Sequence, residues 1–185
     1  MSRLVVSEFV TVDGVFEDPG GGEGSPYGGW AFQFERGPQG DKFKVDELMA
    51  AGALLLGRVT YEGFAAAWPQ MTGDAFGEKM NSMPKYVVSS TLRDPEWTNS
   101  TVIDLDRVAA LKDEVDGDLL VNGSGQLVRS LAERGLVDEY RLMVYPIVLG
   151  QGKRLFDRLA MSRRLRLVSS EPAGETVILT FDAEA

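Results

Sequence analysis

Residues 118–131 read DLLVNGSGQLVRSL, and the fold turns on them. Asp118 to Asn122 forms a short apolar run, the mark of a strand buried on both faces. Gly123-Ser124-Gly125 breaks it. Leu127, Val128 and Leu131 then recur at helical spacing, and Gly135 ends the helix. The same order of strand, turn and helix appears upstream. Ala53-Leu54-Leu55-Leu56 predicts another buried strand, Gly57 a turn, and Thr60 to Trp68 a helix stopped by Pro69. Strands are also expected at Ser2 to Val12, Lys85 to Ser90, Thr101 to Ile103 and Glu139 to Tyr145. Helices are expected at Asp41 to Ala51 and around Val108, Leu111 and Val115. The end reads as two antiparallel strands, Arg164–Ser170 and Thr176–Asp182, turned at Pro172-Ala173-Gly174. Alternating strands and helices imply an α/β sheet, parallel in the centre, with an antiparallel hairpin at the C-terminal edge. No repeat or linker interrupts the chain, so residues 1–185 are expected to form a single domain.

Composition narrows the chemistry. The chain is 44% hydrophobic and 25% charged, ordinary for a globular protein. No segment has the length and apolarity of a membrane span, and the N-terminus lacks the zones of a signal peptide, so a cytoplasmic protein is expected. With no cysteine and no histidine, a Ser-His-Asp triad and the common zinc sites are excluded, and no metal is expected. Chemistry that relies on a cofactor and few side chains passes this filter best. A net charge of −9 argues against nucleic acid as a partner. One basic cluster stands out: Lys153, Arg154, Arg158, Arg163, Arg164 and Arg166. It reads either as a solvated face or as an attractor of an anion or a second subunit.

In sheets of this type ligands bind at the carboxyl ends of the strands. Three junctions there carry suitable residues. Gly57-Arg58-Val59-Thr60 offers a close backbone approach, a helix N-terminus, a guanidinium and a hydroxyl to a phosphate. The alternative is that Thr60 caps its helix and Arg58 is merely exposed. Gly123-Ser124-Gly125 is a second anion cradle or a tight turn. It is not the full dinucleotide fingerprint, because Val128 stands where the third glycine belongs. Ser89-Ser90-Thr91 is the third. Asp13 and Asp41 are candidate acids, each with an alternative reading as a turn or cap residue. Trp30, Phe32, Phe34 and Phe43 read as core, with some available as the wall against which a flat heterocycle stacks.

In this order the motifs resemble the dihydrofolate reductase-like superfamily, and within it the C-terminal reductase domain of RibD. They are Thr11-Val12-Asp13-Gly14, Gly57-Arg58-Val59-Thr60, Val87-Val88-Ser89-Ser90, Val121-Asn122-Gly123-Ser124-Gly125, and the stretch from Gly135 to Tyr140 and on to Pro146 through Phe156. The resemblance implies a three-layer αβα fold and NADPH as cofactor. Gly57, Arg58 and Thr60 match the family's phosphate-binding turn. Ser89 and Ser90 match the pair near the 2′-phosphate, and Gly123, Ser124 and Gly125 the turn near the nicotinamide and pyrophosphate. Asp13 matches the first-loop aspartate, and Asp41 falls near the substrate-binding carboxylate of dihydrofolate reductases. Asn122 stands where RibD reductases typically carry a substrate-contacting Glu. Trp30 and Phe34 are the expected aromatic walls of the substrate site.

The implied activity is NADPH-dependent reduction of a pteridine- or pyrimidine-like heterocycle, nominally 5-amino-6-(5-phosphoribosylamino)uracil. A dihydrofolate reductase activity and a non-catalytic NADP(H)-binding module are the alternatives. The catalytic acid, Asp41 first and Asp13 second, is expected beneath aromatic cover with a raised pKa. RibD-like domains pair, so a twofold homodimer is expected, with apolar rows on the C-terminal strands and on Glu139–Tyr145 as its surfaces.

Overall fold

The computed structural model describes residues 2–184. One eight-stranded sheet runs through the molecule in the order β4-β3-β2-β5-β1-β6-β8-β7. Its strands are β1 (Leu4–Thr11), β2 (Ala51–Gly57), β3 (Lys85–Val88), β4 (Ser100–Ile103), β5 (Asp118–Val121), β6 (Glu139–Tyr145), β7 (Leu165–Ala173) and β8 (Thr176–Ala183). The pairings from β4 across to β6 are all parallel, and β8 and β7 add antiparallel to β6. The carboxyl ends of the six parallel strands therefore share one rim.

Helices cover both faces. Leu48 of α1 (Gly37–Ala50), Tyr61 of α2 (Arg58–Ala67) and Met80 of α3 (Ala75–Ser82) pack with Val5, Leu54, Leu56, Val87 and Leu120. Val108 and Leu111 of α4 (Val108–Glu114) and Leu127, Val128 and Leu131 of α5 (Gly125–Glu133) pack on the other face, against Leu4, Val6, Leu55, Leu119 and Val121. The three layers follow from strands whose both faces are apolar. Because α1 and α2 leave the sheet on one side and α5 on the other, the strand ends flanking β5 form the crevice where such sheets take ligands.

The β1–β5 ladder is short. It joins Leu4, Val5 and Val6 to Leu119, Leu120 and Val121 and then stops, whereas β1 pairs with β6 through Thr11. Beyond Val6 the edge of β1 facing β5 is held by a side chain instead. The Asn122 amide donates to the Ser7 carbonyl at 2.9 Å.

Several local expectations shift. α1 starts at Gly37, with Pro38 in its first turn, so Asp41 lies inside the helix rather than at its start. Residues 75–82 form α3, capped by Asp74 accepting from the Gly77 N–H. The last hairpin turns at Gly174 and Glu175, and Pro172 and Ala173 belong to β7. Phe32 is 82% exposed and is no core residue. β6 lies between β1 and β8 with Tyr140, Leu142, Met143 and Tyr145 buried, so its apolar rows serve the core and not a second subunit.

Candidate active site

The turns after β2 and β5 meet on the rim. The Gly57 N–H donates to the Ser124 hydroxyl at 2.8 Å. A Cβ on Gly123 would lie 2.9 Å from the side chain of Thr60, and Gly123 and Ser124 both hold left-handed backbones, with φ of 60° and 63°. This conformation is easy for glycine and costly for serine. Gly125 is needed for a different reason: a Cβ there would strike the Phe16 ring at 2.2 Å. The loop after β1 thus lays Phe16 on the start of α5. Neither α2 nor α5 has a side-chain cap at its N-terminus. Two helix N-termini with N–H groups free of side-chain caps therefore face the same turn pair, with the Thr60 hydroxyl beside them.

Further along the rim, Ser89 folds over its own turn. Its hydroxyl oxygen accepts from the Thr91 and Leu92 N–H groups at 3.1 and 3.0 Å. The Arg93 guanidinium lies over the same turn, donating to the carbonyls of Ser90 and Leu92. Arg58, by contrast, is forked onto Glu62 one helical turn away at 2.9 Å. Arg93 was not singled out from the sequence, because nothing in its spacing distinguishes it from other surface cations.

The two expected acids sit differently from the reading above. Asp41 is 64% exposed and bonded to the Arg36 guanidinium at 2.6 Å, so it has no aromatic cover. Asp13 is a tether. It accepts from Thr11 Oγ1 at 2.6 Å and from the N–H groups of Leu149 and Gly150 at 3.2 and 2.8 Å. The Thr11 hydroxyl bond above all, with these backbone donors, holds its carboxyl down at about 2. An acid at this position is ionised and does not donate a proton near neutrality. Trp30 is fully buried, with its ring 5.3 Å from Tyr145 and its indole N–H on the Glu17 carbonyl. Phe34 borders the same cluster, 6.1 Å from Tyr145. Trp30 is therefore core, and Phe34 supports it.

Two buried carboxylates lie at this part of β1. Glu47 of α1, only 4% exposed, accepts from Ser7 Oγ at 2.9 Å, pairs with Lys44 and lies 3.6 Å from Arg141. Glu8 of β1 is 5% exposed, and its Oε1 has no hydrogen-bond partner among the described residues. Burial pushes its carboxyl well above the ordinary range, against a smaller opposing pull from the Gly123 N–H. One signal for Glu8 was present in the sequence: it alternates with Val6 and Val10, in register with the inward side of β1.

The basic cluster after β6 is locally tied. Lys153 pairs with Glu17, Arg154 with Asp13, Arg164 with Glu184 and Arg166 with Asp182, while Arg163 donates to the Glu133 carbonyl. These contacts support the reading of a solvated, self-paired face.

Residues 3–179 match the RibD C-terminal domain. The chain belongs to the RibD C-terminal domain family. Proteins of similar sequence include the uncharacterized protein YyaP of Bacillus subtilis (strain 168). It is 26% identical over 184 residues, which cover 95% of this chain and 92% of YyaP. In fold, the domain resembles a protein assigned to riboflavin biosynthesis from Shewanella sp. PV-4, with 20% identity, a TM-score of 0.76 and both chains covered in full. It also resembles dihydrofolate reductase from Enterococcus faecalis complexed with NADP(H), with 14% identity and a TM-score of 0.61. There 99% of this chain and 97% of the reductase are covered. The RibD-type domain thus has the dihydrofolate reductase-like fold.

Proposed function

We propose that this chain is an NADPH-dependent reductase of a flat, nitrogen-rich heterocycle of the pteridine or pyrimidine type, nominally 5-amino-6-(5-phosphoribosylamino)uracil. The observation that carries this reading is the meeting of two side-chain-uncapped helix N-termini, α2 and α5, at the Gly57–Ser124 contact with Thr60 between them. That donor set fits a pyrophosphate. Ser89, Ser90 and Arg93, with Arg58 nearby on the next strand end, fit the 2′-phosphate that separates NADPH from NADH. The nicotinamide end would lie toward Gly123, Ser124 and Gly125, with Asn122 and Phe34 on the substrate side. When bound, this cofactor supplies a hydride. The chain's own residues anchor its phosphates, align it and exclude water.

The exposed Arg36–Asp41 pair removes Asp41 as the covered carboxylate of a dihydrofolate-type reading, and the buried Glu47 on the same helix keeps that reading as the alternative. Titration of the purified chain with NADPH and NADH, followed by fluorescence, tests the cofactor. NADPH binding at least ten-fold tighter is expected, and equal affinity overturns the assignment. A panel of pterins and aminopyrimidine ribosides, read by loss of NADPH absorbance, then separates a reductase from a binding module. We also infer a homodimer through the β7 edge, where Leu167 and Val168 are half-exposed. A monomer mass by light scattering at micromolar concentration would rule it out.

A further inference from the structure

Glu8 stands where the sheet opens. It lies just beyond Val6, at which the β1–β5 ladder stops, and its side chain is beside the Gly123 N–H at the start of the turn into α5. Among the described residues no group bonds its Oε1, although the residue is only 5% exposed. A buried, unbonded carboxyl oxygen carries a desolvation cost that a sequence gains nothing from keeping in a purely structural strand. The charged groups that face it are few. α1 contributes Lys44 and Glu47, which are paired to each other. The loop after β1 contributes Glu23, and the β5–α5 turn contributes the Gly123 N–H. No unpaired cation among them balances an ionised Glu8.

We propose that Glu8 is the proton-linked contact of the cofactor's redox end. It keeps its proton in the free protein and beside a reduced, uncharged nicotinamide, and releases it when an oxidised, positively charged ring occupies the crevice between β1 and β5. This rests on the NADP(H) reading above. A cation brought against a buried neutral carboxyl favours its ionised form. The burial that raises its pKa poises it to respond.

In turnover the same ionisation supplies the proton that reduction consumes. As a hydride supplied by the bound cofactor adds to the carbon of a C=N bond and the π pair moves to nitrogen, the O–H bond of Glu8 would break and the N–H bond form. The Glu8 carboxylate would then be reprotonated from water.

The test needs no substrate. The intact chain is titrated with NADP+ and separately with NADPH by calorimetry near neutral pH, in phosphate and in Tris, whose different ionisation heats report protons released. The 2′-phosphate is common to both nucleotides and cancels in the difference. Close to one more proton per site is expected to be released with NADP+ than with NADPH. Glu8→Gln, which keeps the shape, is expected to abolish that difference while both nucleotides still bind. Equal release in the unmodified protein, or a difference that persists in Glu8→Gln, overturns the role of Glu8 and leaves the cofactor reading standing. Binding of neither nucleotide overturns both. If Glu8→Gln fails to fold, the unmodified protein decides alone. Its affinity for NADP+ relative to NADPH should rise about ten-fold per pH unit below the Glu8 pKa, and a flat ratio refutes the proposal.

Discussion

The backbone N–H of Gly57 and the hydroxyl of Ser124 are bonded at 2.8 Å, tying the turn after β2 to the turn after β5. Ser124 makes this bond from a left-handed backbone, with φ of 63°. Two substitutions separate the bond from the strain. Ser124→Ala loses the hydroxyl and keeps the unfavourable backbone, so it should lower stability by about 1 kcal/mol. Ser124→Gly also loses the bond but relieves a backbone cost of about 1 kcal/mol, so it should lie close to the unmodified protein. Urea unfolding of the three proteins measures this. Ser124→Gly proving the less stable variant would contradict the account.

Asp13 fastens the loop after β6 to the end of β1. Its folded pKa of about 2 lies below the ordinary 3.8, so its contribution is present in full above 3.8 and fades as pH falls through about 2. Asp13→Asn keeps one acceptor oxygen and loses the charge. It should cost about 1–3 kcal/mol at neutral pH and lose less than the parent on acidification. Amide exchange at Leu149 and Gly150 should quicken in the variant. Unchanged exchange there would show that the tether is dispensable.

Glu8 has the opposite sign. Its folded pKa lies above the ordinary 4.5, so the native state binds a proton that the unfolded chain has already released. Stability from this group is complete below 4.5 and declines as pH rises toward the folded pKa, by up to about 1.4 kcal/mol per unit. Glu8→Gln has no such slope and should become the more stable protein on the alkaline side. Parallel stability curves for the two proteins from acid to mild alkali would sink this expectation.

The two guanidinium groups near the adenosine end should differ. Arg58 must leave Glu62 before it can meet a phosphate, whereas Arg93 is already held over the Ser89–Ser90 turn. Arg93→Ala should therefore weaken NADPH by roughly ten-fold or more, the usual loss of a charge-assisted contact, with NADH almost unaffected. Arg58→Ala should show a smaller effect of the same kind. Fluorescence titration of both variants with both nucleotides decides, and an equal loss for NADH would place these cations elsewhere.

Much of the architecture was readable because its signals are local. The run from Glu139 to Tyr145 reads as a strand with Tyr140, Leu142 and Val144 on one face, and it forms β6 over those same residues. Asp118 to Leu131 gave strand, turn and helix in the right order. α3 escaped because Gly77 and Asn81 dilute its apolar face, although Asp74 carried a capping signal. Asp41 misled for a geometric reason. With the helix starting at Gly37, the side chain turns toward Arg36 and solvent. The positions of Asp13 and Glu8 depend on partners more than 100 residues away, Gly150 and Gly123, and no local pattern encodes such meetings. Spacing can mark the rim of a sheet. It does not say which carboxyl on that rim keeps company with water and which is walled in.

The placement of β1 sets an order of events for the chain. Within this chain β1 is made before its neighbours, yet it ends up in the interior of the sheet, between β5 and β6, whose residues come only after position 117. Until they arrive, Leu4, Val5, Val6 and Val10 have no strand beside them and both edges of β1 are open. Contacts so distant in sequence close slowly. The nascent chain must therefore carry an apolar, unpaired segment through most of its synthesis, the condition under which strands find the wrong partner. Truncation after β4 would leave β1 without either neighbour, and such a fragment should aggregate rather than fold, whatever the quality of its own helices.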